Sequence, residues 1–278
     1  MNEHIKSIIL GIIQGFTEFL PVSSTAHLRI VPALLFWDDP GTAFSAVIQL
    51  GTGFAVVIYF WQDLVKIYGA FFKSVFNGFK FESQEAKLGL WILIGTLPIC
   101  IFGLLFKDPI EAGVARNLYI VSFYLIFFGI MLLISELTAK QNRTINNINA
   151  LDVVLIGLLQ VFALIPGASR SGVTLFAGLL LGFKRTQAAR FSFLLSIPAI
   201  LASGVLELNT LVYGIINYRS NISVLDLLLG IIFAGISGYV AIDFLLKYLQ
   251  SHKTHIFVMY RVLLGALVIW LSYNGVIH

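Results

Sequence analysis

The chain has 278 residues, of which 58% are hydrophobic and only 12% are charged. Soluble domains contain about 25% charged residues, so this composition excludes an ordinary soluble globular protein. The formal net charge of +4 is small, and the sequence contains no basic cluster interleaved with aromatic residues, which argues against a nucleic-acid partner. The composition predicts an all-α integral membrane protein.

Two short apolar segments open each half of the chain, separated by a break rich in Pro, Ser and Gly. They are predicted at residues 5–20 and 27–36 in the first half, and at 151–165 and 173–182 in the second. Helices of this length do not comfortably cross about 30 Å of hydrocarbon. Each pair is therefore predicted to form a re-entrant hairpin, which enters and leaves the membrane on the same side.

Three longer apolar segments follow each hairpin. They are predicted at residues 43–62, 88–106 and 117–136 in the first half, and at 188–208, 225–248 and 255–275 in the second. Each is close to the roughly 17–25 residues that a transmembrane helix requires. We therefore expect six membrane-spanning helices.

The two halves also resemble each other in sequence. Residues 11–28 read GIIQGFTEFLPVSSTAHL and residues 157–175 read GLLQVFALIPGASRSGVTL. We predict one membrane domain over residues 1–278, with repeat one at about 1–137 and repeat two at about 150–278. Because each repeat contains an odd number of crossings, the second must be inverted relative to the first. Inverted repeats with broken helices place their binding site near the middle of the membrane.

Positively charged side chains are unequally divided between the predicted loops. The loops after the first, third and fifth spans contain Lys66, Lys73, Lys80, Lys87, Lys140, Arg143, Lys184, Arg185, Lys247 and Lys253. The opposite face contains only Lys6, Lys107, Arg116 and Arg219. The positive-inside rule makes the first face cytoplasmic. Both termini are then predicted outside, the hairpins enter from opposite sides, and their tips meet at a site open to the outer face.

Polar side chains are concentrated at both predicted tips. The first tip contains Glu18, Ser23, Ser24, Thr25 and His27, and the second contains Ser169, Arg170, Ser171 and Thr174. Ser or Thr can cap the outgoing helix of each hairpin, and the free N–H groups of a helix N-terminus attract anions. The Arg170 guanidinium offers a planar set of donors that suits phosphate oxygens. The two tips together predict an anion site.

The first tip also suggests a reaction. Ser24 and His27 are three residues apart, so they are expected on one face of a helix, and a hydroxyl beside an imidazole is a typical activated nucleophile. Glu18, four residues after Gln14, could bind a divalent cation, orient His27 or act as a base. Inverted repeats also fit a secondary transporter or lipid flippase. Transport does not require the Ser, His, Arg and Glu set, which favours an enzyme.

Two motifs carry a resemblance to a known family. GIIQGFTEFLPVSSTAH and PGASRSGVT resemble the two signatures of the bacitracin-resistance type undecaprenyl-diphosphatases, and the likeness covers the whole chain, including the pair Tyr260-Arg261. It implies hydrolysis of undecaprenyl diphosphate, a prenyl pyrophosphate lipid, to undecaprenyl phosphate and inorganic phosphate, which recycles the carrier lipid for cell-wall synthesis in the cytoplasmic membrane. It also implies a divalent cation cofactor, Mg²⁺ or Ca²⁺.

The resemblance further assigns residue roles. Those implied as catalytic are Glu18, Ser24, His27 and Arg170; those implied to bind substrate are Ser23, Thr25, Ser169, Ser171 and Thr174. Glu18, and more weakly Gln14, are the implied metal ligands, because Gln14 stands where many members have Glu. The sequence leaves open whether Ser24 attacks phosphorus or positions a water, and it leaves the oligomeric state open, a homodimer included.

Four further charged residues lie outside this set. Arg29 is interpreted as a side chain that reaches towards the membrane interface. Arg261, Glu207 and Asp243 are interpreted as reaching the interface or forming structural pairs.

Overall fold

The computed structural model describes residues 2–106, 117–216 and 222–277. Within these ranges the protein is α-helical, with one isolated bridge between Arg143 and Phe183. The described α-helices are α1 (Glu3–Phe19), α2 (Ser24–Leu34), α3 (Gly41–Tyr59), α4 (Trp61–Phe76), α5 (Gln84–Leu105), α6 (Leu118–Thr138), α7 (Ala150–Gln160), α8 (Arg170–Leu180), α9 (Arg185–Ile216), α10 (Val224–Ser251) and α11 (His255–Tyr273). Lys107, Arg116 and Arg219, which entered the loop-charge argument, lie outside the described residues.

Six of these helices are long and apolar enough to cross a membrane: α3, α5, α6, α9, α10 and α11. Their outer faces expose large apolar side chains such as Phe123, Ile232 and Leu263. Such exposure is unfavourable in water but suits contact with lipid chains. The prediction of a multi-pass, all-α membrane protein is confirmed.

The helices that leave each tip begin earlier than predicted. Helix α2 begins at Ser24 and α8 at Arg170, three residues before the predicted starts. The side chain of Ser23 accepts a hydrogen bond from the Ala26 N–H, and Ser169 does the same for Gly172. Both serines adopt a positive φ, 74° and 71° respectively. These side-chain caps extend each helix into the segment that the sequence analysis assigned to the break.

Helix α4 was missed by the sequence analysis. Trp61–Phe76 directly follows α3, and its lysines Lys66 and Lys73 were assigned to a loop. The segment contains charged residues at regular intervals, so a search for uncharged apolar blocks passes over it. Its apolar residues nevertheless recur at helical spacing, and Leu64 and Ile67 are buried.

Glycines allow the first helix of each hairpin to pack closely against the opposite half of the chain. A Cβ at Gly11 of α1 would lie 2.5 Å from the carbonyl oxygen of Gly230 in α10. A Cβ at Gly157 of α7 would lie 2.7 Å from the carbonyl oxygen of Gly95 in α5. Small residues at such crossings let helix backbones approach within a membrane protein. Helix α1 thus packs against α10, and α7 packs against α5, each a helix from the other half of the chain.

Candidate active site

The two hairpin tips meet through an ion pair. Nη2 of Arg170, the first residue of α8, donates to Oε1 of Glu18 at 2.7 Å. Nη1 of Arg170 donates to the carbonyl oxygen of Ser196 in α9 at 3.0 Å. The side chains of Glu18 and Arg170 are 5% and 12% exposed. A buried charge pair of this kind fixes both side chains in one geometry.

Ser24 contacts the same carboxylate from the other side. Its hydroxyl donates to Oε2 of Glu18 at 2.7 Å, and Nε2 of Gln14 donates to that oxygen at 2.8 Å. Glu18 therefore lies between Arg170 on one oxygen and Ser24 on the other. The structure brings together three of the four residues predicted as catalytic.

His27 is placed differently from the prediction. Its Nδ1 lies 2.7 Å from the carbonyl oxygen of Ser23, and its Nε2 lies 2.6 Å from the hydroxyl of Tyr260 in α11. Since a carbonyl can only accept, we assign the proton to Nδ1, and Nε2 accepts from Tyr260. Both ring nitrogens are occupied away from Ser24. The expected Ser24–His27 and Glu18–His27 contacts are therefore replaced by the Ser24–Glu18 contact.

The hydroxyls of the two tips form matching arrangements. The Ser23 and Thr25 hydroxyls lie 3.1 Å apart, and those of Ser169 and Ser171 lie 3.2 Å apart. The Ser171 hydroxyl crosses to the other tip and donates to the carbonyl oxygen of Leu20 at 3.0 Å. The Gly167 N–H approaches the Thr25 hydroxyl in the reverse direction at 3.5 Å. These contacts join the two tips.

Arg261 also holds the tips together, and the sequence analysis did not place it at the site. Its side chain is fully buried. Its donors reach the carbonyl oxygens of Pro21, Gly167 and Ala168 on the two tips, and those of Tyr124 and Leu125 in α6. Arg261 therefore neither reaches the interface nor pairs with a carboxylate among the described residues; backbone oxygens are its partners. Its position well inside α11 was the available signal, because a charge within a span requires partners.

Two of the other charged residues outside the predicted site, Asp243 and Arg29, form ion pairs. Asp243 pairs with Lys247 and accepts a hydrogen bond from the Tyr59 hydroxyl. Arg29 lies 3.4 Å from Asp39, measured from Nε to Oδ2. The structural-pair interpretation of Asp243 is confirmed, whereas Arg29 pairs with a carboxylate instead of simply reaching towards the interface.

A cavity of about 360 Å³ extends from the Glu18–Arg170 pair. Its polar side is formed by Glu18, Ser24, Thr25, Arg29, Thr42, Ser45 and Gln49, with Ser169 and Arg170 at the inner end. Its apolar lining comes mostly from α5, α9 and the segment 163–164, including Ile99, Leu104, Leu164, Ile200 and Leu206; α9 also contributes Ser203 and Glu207. Ser23, His27, Ser171 and Thr174 are not among its described lining residues; Thr174 instead contacts the Ser192 hydroxyl and the carbonyl oxygen of Arg170.

The two residues predicted to bind a metal are adjacent. Glu18 accepts from Gln14, and Oε1 of Gln14 is buried without a hydrogen-bond partner. No group of three or more His, Cys, Asp or Glu side chains suited to a metal occurs among the described residues. One carboxylate and one orphaned amide oxygen match the sparse protein contribution typical of Mg²⁺ sites that also use substrate phosphates.

Comparison with known proteins places the chain in a family. Residues 7–267 match the family described as Bacitracin resistance protein BacA. The chain belongs to this family. Curated relatives of this chain are named undecaprenyl-diphosphatase. One from Chlorobium phaeobacteroides (strain BS1) is 48% identical over 277 residues, covering 97% of each chain. One from Chlorobaculum tepidum is 49% identical over 267 residues, covering 94% of each chain.

A relative from a third organism has the same name. An undecaprenyl-diphosphatase from Myxococcus xanthus is 48% identical over 271 residues, covering 98% of this chain and 90% of the relative. The resemblance inferred from the two tip motifs is therefore confirmed, and it extends over nearly the whole chain.

Proposed function

We propose that the protein hydrolyses undecaprenyl diphosphate to undecaprenyl phosphate and inorganic phosphate, and so recycles the carrier lipid for cell-wall synthesis. The observation that carries this proposal is the contact of Arg170 from one tip and Ser24 from the other with a single carboxylate, Glu18, at the inner end of a two-sided cavity. The cavity has polar groups for a diphosphate and an apolar side for a prenyl chain. The names of the relatives favour this hydrolase over the transporter or flippase alternative.

In the proposed reaction, Arg170 and the N-terminus of α8 hold the terminal phosphate, because phosphoryl transfer depends mainly on positioning and charge neutralisation. The Ser24 oxygen attacks the terminal phosphorus, and its proton passes to Oε2 of Glu18. The bond from that phosphorus to the bridging oxygen breaks, and undecaprenyl phosphate leaves. Water then cleaves the phosphoserine, releasing inorganic phosphate, and Ser24 recovers its proton.

In the other version of the reaction, Glu18 takes the proton from a water that attacks directly, while Ser24 positions that water. In either version, Glu18 takes the proton that the sequence analysis assigned to His27. His27 instead holds Ser23 and the start of α2 in place. Thr25 and Ser169, which line the cavity, contact the phosphates, whereas Ser23, Ser171 and Thr174 maintain the tips. Trapping a phosphoserine at Ser24 distinguishes the two versions, and its absence after rapid quenching contradicts the covalent one.

Glu18 and Gln14 are the residues that would hold a divalent cation, Mg²⁺ or Ca²⁺, together with phosphate oxygens. When bound, such a cation supplies further neutralisation of phosphate charge. The Oε1 atom of Gln14 supports this role, since a buried amide oxygen without a partner is costly unless it gains one.

The activity is tested with purified protein in detergent and without an ion gradient. We expect phosphate release from C55 and C15 prenyl diphosphates, loss of that release with a chelator, and recovery on adding Mg²⁺ or Ca²⁺. Ser24→Ala is the matched inactive control. Absence of phosphate release by the wild-type protein from both lipids contradicts the proposed function. Full activity under exhaustive chelation contradicts the proposed requirement for a divalent cation.

We also propose that α1–α2 and α7–α8 are re-entrant hairpins of two inverted repeats, at about 1–137 and 150–278 of a single domain. The equivalent capping of Ser23 and Ser169 supports this arrangement, as does the equivalent glycine packing of α1 and α7. The loop charges support outer termini and a cavity open to the outer face. The homodimer stays a prediction.

Labelling of single cysteines in cells tests this orientation. In a Cys100→Ala background, we expect an impermeant thiol reagent to label Asn274→Cys but not Lys80→Cys. The reverse pattern contradicts the proposed orientation.

A further inference from the structure

The polar side of the cavity continues beyond the residues assigned to the reaction. Arg29 lies four residues after Thr25 in α2, so the two side chains share a face of the helix, and both line the cavity. Thr42, Ser45 and Gln49 of α3 line the same side. These polar side chains therefore form a row along the cavity, from the Glu18–Arg170 pair towards the end of α2 that is farthest from the tip.

The environment of Arg29 suits a weakly held anion. Its side chain is only 16% exposed, and its Nε lies 3.4 Å from Oδ2 of Asp39, in the connection between α2 and α3. Asp39 is also fixed, because its Oδ1 accepts a hydrogen bond from the Gly41 N–H at 2.9 Å. A guanidinium that pairs with a carboxylate can still present a planar set of donors to phosphate. The carboxylate lowers the attraction for that phosphate, which favours release.

We propose that Arg29 is a second phosphate-binding residue, which receives inorganic phosphate after hydrolysis and before it leaves the cavity. This inference rests on the proposed function. The five residues from Ser24 to Arg29 correspond to a rise of about 7.5 Å along α2. A phosphate ion that leaves Arg170 therefore meets a second cation within a short distance.

Inhibition by inorganic phosphate tests this role. The reaction is followed through the lipid product, undecaprenyl phosphate, so that added phosphate does not obscure the signal. We expect Arg29→Gln to raise the inhibition constant of phosphate by about tenfold or more, because a charge-assisted contact is lost. Arg29→Lys keeps the charge and should show an intermediate value.

The partner residue gives the decisive comparison. Asp39→Asn keeps the acceptor for the Gly41 N–H but removes the negative charge, so phosphate should inhibit this variant more strongly than the wild type. If Arg29 served only to pair with Asp39, the two substitutions would change the inhibition constant in the same direction or leave it unchanged. Lys6→Gln is the matched control, because Lys6 has a similar exposure of 18% and pairs with Glu3 outside the cavity; it should behave as the wild type.

The outcomes separate this inference from the proposed function. A wild-type protein that hydrolyses the lipid, together with an Arg29→Gln variant that has unchanged phosphate inhibition, overturns the role of Arg29 alone. An increase in KM for the lipid without a change in phosphate inhibition also overturns it, because Arg29 would then contact the substrate and not the released ion. Thermal stabilisation of the protein by inorganic phosphate alone, reduced in Arg29→Gln, supports the site independently of hydrolysis.

Discussion

Replacing Arg170 with glutamine is expected to lower the rate of phosphate release by at least about 10³-fold, the lower end of what an arginine contributes to phosphoryl transfer. The guanidinium is fixed by Glu18 and by the carbonyl oxygen of Ser196, so it can meet the phosphate without reorganisation. Arg170→Lys should recover part of the activity, because it restores the charge but not the planar set of donors. The measurement is single-turnover phosphate release in detergent.

Arg190 provides the matched control for this substitution. It also forms an inter-helix ion pair, 2.7 Å from Asp63, but it does not line the cavity. Arg190→Gln should therefore leave the rate nearly unchanged. Near-normal turnover by Arg170→Gln would refute the assignment of this residue to the phosphate.

The second large effect is expected at Arg261, and it concerns stability as well as rate. Arg261→Met would remove the donors that serve five backbone carbonyl oxygens. The carbonyl oxygens of α6 keep their helical N–H partners, whereas those of Pro21, Gly167 and Ala168 would lose theirs. Each buried acceptor left without a partner costs about 1–3 kcal/mol, so the total loss in the free energy of unfolding should be at least about 3 kcal/mol. Because two of the three contacted segments are the tips, phosphate release should fail before the protein unfolds.

Thermal unfolding in detergent and the phosphate assay, measured over the same temperatures, test this expectation. Arg261→Lys should be intermediate, because a lysine has three donors and cannot reach all five oxygens. Lys247→Met is the control: Lys247 is exposed and pairs with Asp243 one turn earlier in the same helix, α10, so its loss should change stability by no more than about 0.5 kcal/mol. An Arg261→Met protein with wild-type stability contradicts the claim that Arg261 stabilises the two tips.

The features predicted well from sequence were those that depend on local composition. Six apolar blocks predicted the six long helices, and short polar segments predicted the tips. The starts of α2 and α8 were harder to predict, because they depend on Ser23 and Ser169 adopting a positive φ, which is uncommon for residues other than glycine. Strain of this kind is frequently found at functional sites.

The contacts made across the chain were not predictable from spacing alone. A separation of three residues placed His27 on the same side of α2 as Ser24, but Tyr260, more than 230 residues later, supplies the partner that turns the imidazole away. Glu18 then becomes the partner of Ser24, through a reversal of the chain at the tip. The spacing of two residues predicts contacts within one helix, whereas the contacts of this site join several helices.

The cavity joins a polar side to an apolar side, and its apolar rim includes Leu104 and Leu206, which are 62% and 50% exposed. A lipid held there would insert only its head, leaving most of its tail among neighbouring lipids. The rate at which the enzyme encounters its substrate then depends on the mole fraction of that lipid in the surrounding bilayer or micelle. Diluting the substrate with inert detergent should slow the enzyme even when the amount of substrate per volume of solution stays constant.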